Sequence, residues 1–197
     1  MSWDPKQYLK FSDLRLRPAL DLMARIPLER PRRIFDLGCG AGNVTCQLAL
    51  RWPEARITGV DSSPEMLAEA KARLPEADWI RDDLSKWQPS EPADLIFSNA
   101  LFHWIKGHGD IFPRLLGGLA PGGVLAVQMP RNQREPSHTL VREVAEAGPW
   151  RERLAQLGDL FEVLEPGAYH DLLRPGSAHL DIWESVYQQA LTGEAPV

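Results

Sequence analysis

Asp36-Leu37-Gly38-Cys39-Gly40-Ala41-Gly42, with Asp61 nineteen positions after the last glycine, is the part of this chain best suited to chemistry. A run of small residues lets a ligand approach the backbone, because no Cβ stands in the way. A carboxylate about twenty positions on, at the end of the next strand, can accept hydrogen bonds from both hydroxyls of a ribose. The pair therefore points to an adenosine-containing cofactor. Dinucleotide sites space their glycines G-x-G-x-x-G and set a helix N-terminus against a pyrophosphate. Here the spacing is G-x-G-x-G, and Asp36 lies two positions before the first glycine. A carboxylate there is a poor neighbour for pyrophosphate and a good one for a cationic amino acid tail.

The elements that must hold these residues can be read around them. Arg33-Ile34-Phe35 predicts a buried strand ahead of the loop, and Asn43 to Leu50 a helix behind it. Arg56 to Val60 predicts the second strand, ending at Asp61 and Ser62. Ser63-Pro64-Glu65 opens the next helix with a serine cap and a proline at the first position, and Leu67, Ala70 and Leu74 form its buried stripe. Ala77 to Ile80 reads as a third strand, followed by Arg81-Asp82-Asp83-Leu84. Ala93 to Ala100 reads as a fourth, ending in Ser98 and Asn99, and Leu119-Ala120-Pro121-Gly122-Gly123 leads into a fifth. Strand and helix alternate, as expected of an α/β domain with a mainly parallel sheet covered on both faces.

In this order and spacing the motifs resemble those of the class I S-adenosylmethionine (SAM)-dependent methyltransferases, whose fold is Rossmann-like. The resemblance implies a cofactor site of Asp36, Gly38, Gly40, Gly42, Asp61 and Ser62, with Asp83 and Leu84 at the adenine and Asp82 as the alternative carboxylate. It also implies that the methionine ammonium lies against Asn99 and the carbonyls beside it. A narrower resemblance runs the length of the chain. Trp3-Asp4-Pro5, Trp52-Pro53, Gly59-Val60-Asp61-Ser62-Ser63-Pro64-Glu65-Met66, Gln128-Met129-Pro130, Asn132, Glu135-Pro136-Ser137-His138 and Asp181-Ile182-Trp183-Glu184 resemble the trans-aconitate 2-methyltransferase family. That implies methyl transfer to a carboxylate of trans-aconitate, yielding a monomethyl ester and S-adenosylhomocysteine.

A carboxylate is ionised at neutral pH, so the reaction needs no general base, and no residue is assigned as catalytic. A tricarboxylate acceptor calls for cations, and arginine forks pair with carboxylates at two points. Arg15, Arg17 and Arg131 are the candidates, with Trp104, Gln128 and His138 as further acceptor contacts and His103 nearby. The alternatives are methylation of another small carboxylic acid, or a SAM-binding protein without turnover. An NAD-dependent oxidoreductase rests on the glycine loop alone and is disfavoured by Asp36.

At 197 residues, 44% apolar and 25% charged, the chain suits one soluble domain. It divides into an N-terminal helical lid segment (1–30), a cofactor-binding core (31–130) and a substrate-side region (131–197). A formal charge of −5 argues against a nucleic-acid partner. No signal pattern or membrane-length apolar run is present, which makes a cytoplasmic location the default. Cys39 and Cys46 have no metal-ligand company and read as reduced, packed thiols. In residues 1–30, Ala19, Leu22, Met23 and Ile26 share one helix face, with a break expected at Pro18 and a stop at Pro27. Further helices are expected near Asp110–Leu119, His138–Ala147, Arg151–Leu157 and Gly167–Leu173. His179–Gln189 is expected as a sixth strand. The family pattern continues beyond this point with a final antiparallel strand, so the resemblance implies a fold that lacks it.

Overall fold

The computed structural model describes residues 12–154 and 162–188. Five strands, β1 (Arg33–Leu37), β2 (Arg56–Asp61), β3 (Asp78–Arg81), β4 (Ala93–Asn99) and β5 (Leu119–Gln128), form one sheet in the order β3-β2-β1-β4-β5. Every pairing is parallel. Parallel neighbours need crossover connections, which here include α2 (Asn43–Arg51), α3 (Pro64–Arg73) and α4 (His108–Gly117). The order reverses between β1 and β4, so their carboxyl ends flank the crevice where ligands bind in open α/β sheets.

The period-two side-chain alternation of β1 and β4 divides the core between the two faces. Phe35, Leu37 and Ile96 pack on one face with Phe102, Ile111, Phe112 and Leu115. Ile34, Leu95 and Phe97 pack on the other with Leu48 and Trp52 of the α2 region. Burial on both faces explains why β4 reads as a nearly continuous apolar run. The second face is closed by α1 (Ser12–Ala24), where Ala19, Leu22 and Met23, with Ile26 just beyond, are buried in the same cluster. The described part of the N-terminal segment is thus a core-packing helix on the flank of the sheet. It also runs through Pro18, contrary to the expected break. The apolar stripe beyond the proline docks against β5 and α2, and that burial outweighs one missing backbone hydrogen bond.

Three further expectations need correction. In α3 the buried residues are Met66 and Ala70, continued by Leu74 after the helix, while Leu67 is half-buried. The i, i+4, i+8 row follows from the Ser63 cap, whose hydroxyl accepts the Met66 N–H at 3.2 Å and sets the helix phase. Second, α4 begins two residues earlier than expected, and α5 (Pro136–Ala147) begins at a proline that suits the first helical turn. α6 (Arg151–Leu154) is described for four residues, and the remainder of its expected span falls outside the described residues.

Third, residues 179–188 form no strand. Leu180, Trp183 and Tyr187 are the partly buried positions, a spacing of three and four rather than two. Side chains hold the segment against α1. Arg25 pairs with Asp181 at 3.3 Å and stacks on Trp183, the Tyr187 hydroxyl donates to Asp21 at 2.7 Å, and Arg17 lies over the Tyr187 ring. β-branched and aromatic residues were present, but no strand ladder among the described residues receives them. α7 (Pro166–Leu173) is followed by a 3-10 turn, Arg174–Gly176, where the expected Pro-Gly stop falls.

Gly59 in β2 has a role in this packing. A Cβ there would stand 2.3 Å from the Trp79 ring and 3.0 Å from the Cys39 sulfur. Gly59→Ala should therefore force Trp79 out of place and destabilise the protein by about 1–3 kcal/mol, read as a lower denaturation midpoint in urea.

Candidate active site

The glycine loop leaves β1 with Gly38, Gly40 and Gly42 all at positive φ (71°, 52° and 79°), a path that residues with side chains follow only under strain. Its backbone is fastened to β2 at three points. The Gly38 and Cys39 N–H groups donate to the Val60 carbonyl at 2.8 and 3.2 Å. The Gly40 N–H donates to Asp61 Oδ2 at 2.9 Å, while Asp61 Oδ1 accepts the Ser63 N–H, also at 2.9 Å. Asp61 thus links two turns and retains lone pairs on both oxygens, since an ionised carboxylate offers about four acceptor sites.

Asp36 occupies a different environment. It is 1% exposed, and its Oδ2 accepts the Thr45 hydroxyl from the first turn of α2 at 2.6 Å. Burial pushes its carboxyl up to about 7, with the Thr45 hydrogen bond opposing the shift and the Asp61 charge reinforcing it. It is turned towards Thr45 and away from solvent. Thr45 was missed in the sequence, although its position one turn into the helix that follows the loop was legible.

The other sequence-predicted cofactor residues gather on the same carboxyl edge. Asp61 pairs with Arg81 in register, and Asp82 continues the chain with its N–H on the Asp61 carbonyl at 3.1 Å. Asp83 is exposed. The Ser85 hydroxyl and N–H both donate to its Oδ1, holding its carboxyl below the usual carboxylate range. Leu84 has its side chain buried in the core against Trp87 and Phe35, so only its backbone is available to a ligand. Ser62 is exposed. Asn99 ends β4 in register with Gln128, and its buried Oδ1 has no hydrogen-bond partner among the described residues. Ala100 follows at φ 54°, a conformation rare for any residue but glycine and concentrated at functional sites.

Beyond Ala100 the chain turns through Leu101, whose side chain fills the space beside Gly38, into a 3-10 turn over Phe102–Trp104. There begins a second cleft of about 290 Å³, lined by His103 and Trp104 after β4, Pro130, Asn132 and Gln133 after β5, His138 on α5, and Val163. Trp104 is half exposed with its ring 5.0 Å from that of His103. His103 is buried, and that burial pushes its imidazole down to about 4.

The predicted acceptor residues divide three ways. Trp104 and His138 line the cleft. Gln128 is not among the lining residues; it ends β5, with its carbonyl accepting the Ala100 N–H at 3.0 Å. Arg131 and Arg17 do not line it. Arg131 is ion-paired with Glu184 at 2.7 Å and with Glu165. Arg17 stacks on Tyr187, and the Arg15 side chain lies outside the described residues. Asn132, Gln133 and Val163 were not predicted, and nothing in the local sequence marks Val163 as a neighbour of His103.

Compared with known proteins, residues 34–123 match the family model described as a methyltransferase domain. The chain is 52% identical over 190 residues to trans-aconitate 2-methyltransferase of Rhodopseudomonas palustris (strain BisB18), covering 96% of this chain and 74% of that protein. It is 49% identical to the enzyme of the same name from Azoarcus sp. (strain BH72), with the same coverage. The chain belongs to the trans-aconitate 2-methyltransferase family. Among solved structures, the methyltransferase bound to the Haloferax volcanii Trm112 activator superposes with a TM-score of 0.66 at 20% identity, covering 87% of this chain and 72% of its own. A SAM-dependent methyltransferase from Mesorhizobium loti is 31% identical with a TM-score of 0.50, over 56% of this chain and 51% of its own.

For this member of the trans-aconitate 2-methyltransferase family, the environment of Asp36 has a measurable consequence. Its folded carboxyl titrates near 7 against an ordinary value of 3.8. Between those values the folded state holds a proton that the unfolded chain has released, so the stability contributed by Asp36 is fully present below pH 4 and is lost as pH rises towards 7. The protein without ligand should lose a few kcal/mol across this window through Asp36 (about 1.4 kcal/mol per pH unit). Asp36→Asn should remove that component, seen by comparing urea unfolding of the two proteins at pH 5 and pH 7.5.

Proposed function

We propose that this chain is a cytoplasmic enzyme transferring the methyl group of SAM to a carboxylate of trans-aconitate, with the monomethyl ester and S-adenosylhomocysteine as products. The observation that carries this reading is the 52% identity to the R. palustris enzyme over 96% of the chain. It is joined to a glycine-rich crevice at the sheet's switch point with an acceptor-sized cleft beside it. SAM supplies a methyl group on a sulfonium. A carboxylate oxygen forms the new O–CH₃ bond, the C–S bond breaks with its electron pair passing to sulfur, and no proton moves.

The chain's own residues bind and align. In this reading Asp61 receives the ribose hydroxyls on its remaining lone pairs, with Ser62 beside it. Asp83 accepts the adenine amino group, with Asp82 as the alternative, and the Leu84 N–H donates to the ring. The Asn99 Oδ1 and the backbone beside strained Ala100 receive the ammonium, which accounts for a buried acceptor lacking a partner among the described residues. Gly38, Gly40 and Gly42 let the amino acid tail lie on the backbone, and the field of Asp36 favours its positive charge.

Trp104, His138 and Gln128 contact the acceptor, together with His103, Asn132 and Gln133. His103 is uncharged at neutral pH and can serve as a hydrogen-bond partner, with no base required. Arg131, Arg17 and Arg15 remain the cationic candidates. Arg131 can reach a substrate carboxylate only by releasing Glu165 or Glu184. The enzyme's work is then alignment and exclusion of water.

Calorimetric titration with S-adenosylhomocysteine, with NADH as control, tests the cofactor half; binding of NADH instead would sink the reading. A methyl-transfer assay offering trans-aconitate beside other tricarboxylates tests the acceptor, and a clear preference for another acid would replace it. Asp61→Asn should weaken S-adenosylhomocysteine binding by about ten- to a hundredfold. Affinity for the same ligand should rise from pH 5.5 to about 7 and then level off, because its ammonium favours ionised Asp36. Asp36→Asn should flatten that profile.

A further inference from the structure

The cleft lined by His103 and Trp104 is closed on one side by Val163, some sixty residues later in the chain. Two layers of hydrogen bonds join these distant segments. In the upper layer the Glu162 N–H donates to the His103 carbonyl at 3.0 Å. The Glu162 carboxylate accepts the N–H groups of Gly107 and His108 at 3.2 and 3.1 Å. Below it lies His108, fully buried, with Nε2 at 2.9 Å from the Phe102 carbonyl and Nδ1 at 2.6 Å from the Tyr169 hydroxyl. A carbonyl can only accept, so Nε2 carries the proton and Nδ1 accepts the tyrosine O–H. The same hydroxyl oxygen accepts the Leu164 N–H at 3.1 Å. A single relay thus runs from Phe102 through His108 and Tyr169 to Leu164. Its two ends lie next in sequence to His103 and Val163, two of the residues that line the cleft.

We propose that His108 and Tyr169 are positioning residues that hold the His103 and Val163 segments of this cleft together and thereby align the acceptor carboxylate. The proposal rests on the reading of the cleft as the acceptor site. A histidine and tyrosine serving stability alone could sit anywhere in the core, and an apolar pair of the same shape would serve nearly as well. These two are polar, hydrogen-bonded to each other, and join two distant chain segments that each contribute a lining residue to one cleft. Phe112 packs edge-on against both rings, so the relay has little freedom to shift.

Tyr169→Phe keeps the ring packing and deletes the hydroxyl's bonds to His108, Leu164 and Met129. The kcat/KM for trans-aconitate should fall by about ten- to a hundredfold, while the KM for SAM and the Kd for S-adenosylhomocysteine stay within about twofold. Combining Tyr169→Phe with His108→Leu should lower acceptor kcat/KM no further than the worse single change, since one relay is broken once. Amide hydrogen exchange should quicken at 103–108 and 162–164 and stay unchanged in β1 and α2. An unaltered acceptor kcat/KM in folded Tyr169→Phe, or equal losses for both substrates, would overturn the proposal. If the wild-type protein does not methylate trans-aconitate, the proposed function fails on its own. Exchange at 162–164 then decides: quickening in Tyr169→Phe supports the relay, and no change overturns it. Should Tyr169→Phe not fold, His108→Asn, which leaves the tyrosine an acceptor and releases Phe102, carries the same measurements.

Discussion

One carboxylate ties this molecule's binding edge together. Asp61 ends β2 and accepts an N–H from the glycine loop after β1 and another from the turn that opens α3. A loop with three residues at positive φ has no ladder or helix to hold it, so its path depends on such outside partners. The Val60 carbonyl supplies the second anchor by taking two loop N–H groups. With the loop fixed, Leu101 packs beside Gly38, and the turn after β4 is placed against the turn after β1. The positions of both the glycine-loop crevice and the cleft of His103 and Trp104 follow from that contact.

The same edge shows why two aspartates close in space have separate duties. Asp61 is half-buried, accepts charge-favouring N–H groups, and keeps room for more donors. Asp36 points to the α2 face of the sheet, has one hydroxyl for company, and is pushed towards its neutral form by burial. A cationic ligand nearby shifts that balance, so ligand charge and Asp36 ionisation are coupled. An asparagine would retain the hydrogen-bonding shape but lose the coupling.

What the sequence made legible was the cofactor half, because its determinants are local. Each motif sits at the end of a strand that alternation and apolar runs reveal, and a parallel sheet brings those ends to one edge. The glycines, Asp36, Asp61, Asp83 and Asn99 all lie there. The cleft of His103 and Trp104 was less legible because it is built from contacts between distant segments. Trp104 and His138 were found through their nearness to strand ends. Val163 and the His108–Tyr169 pair have no such marker. The arginines illustrate a second limit: sequence shows that a cation is present but not which carboxylate already holds it, as Glu165 and Glu184 hold Arg131. The sixth strand failed for a related reason, since β propensity requires a ladder to join, and residues 179–188 are fixed to α1 by their side chains instead.

The absence of a required general base changes what the fold must supply. Where a proton has to be removed, a site needs a group with a tuned pKa at the reacting atom. Here the acceptor arrives ionised, and buried His103 remains uncharged in the pH range where the carboxylate is fully formed. The differential work falls on geometry: oxygen, methyl carbon and sulfur must come into line between two clefts carried by different loops. Rigidity between those loops then matters more than any single polar group in either. Leu101 against Gly38, Ala100 bound to the Gln128 carbonyl, and Glu162 bound to the His103 carbonyl each tie one loop to another. None of these contacts could be replaced by a better acid or base, and for this reaction none needs to be.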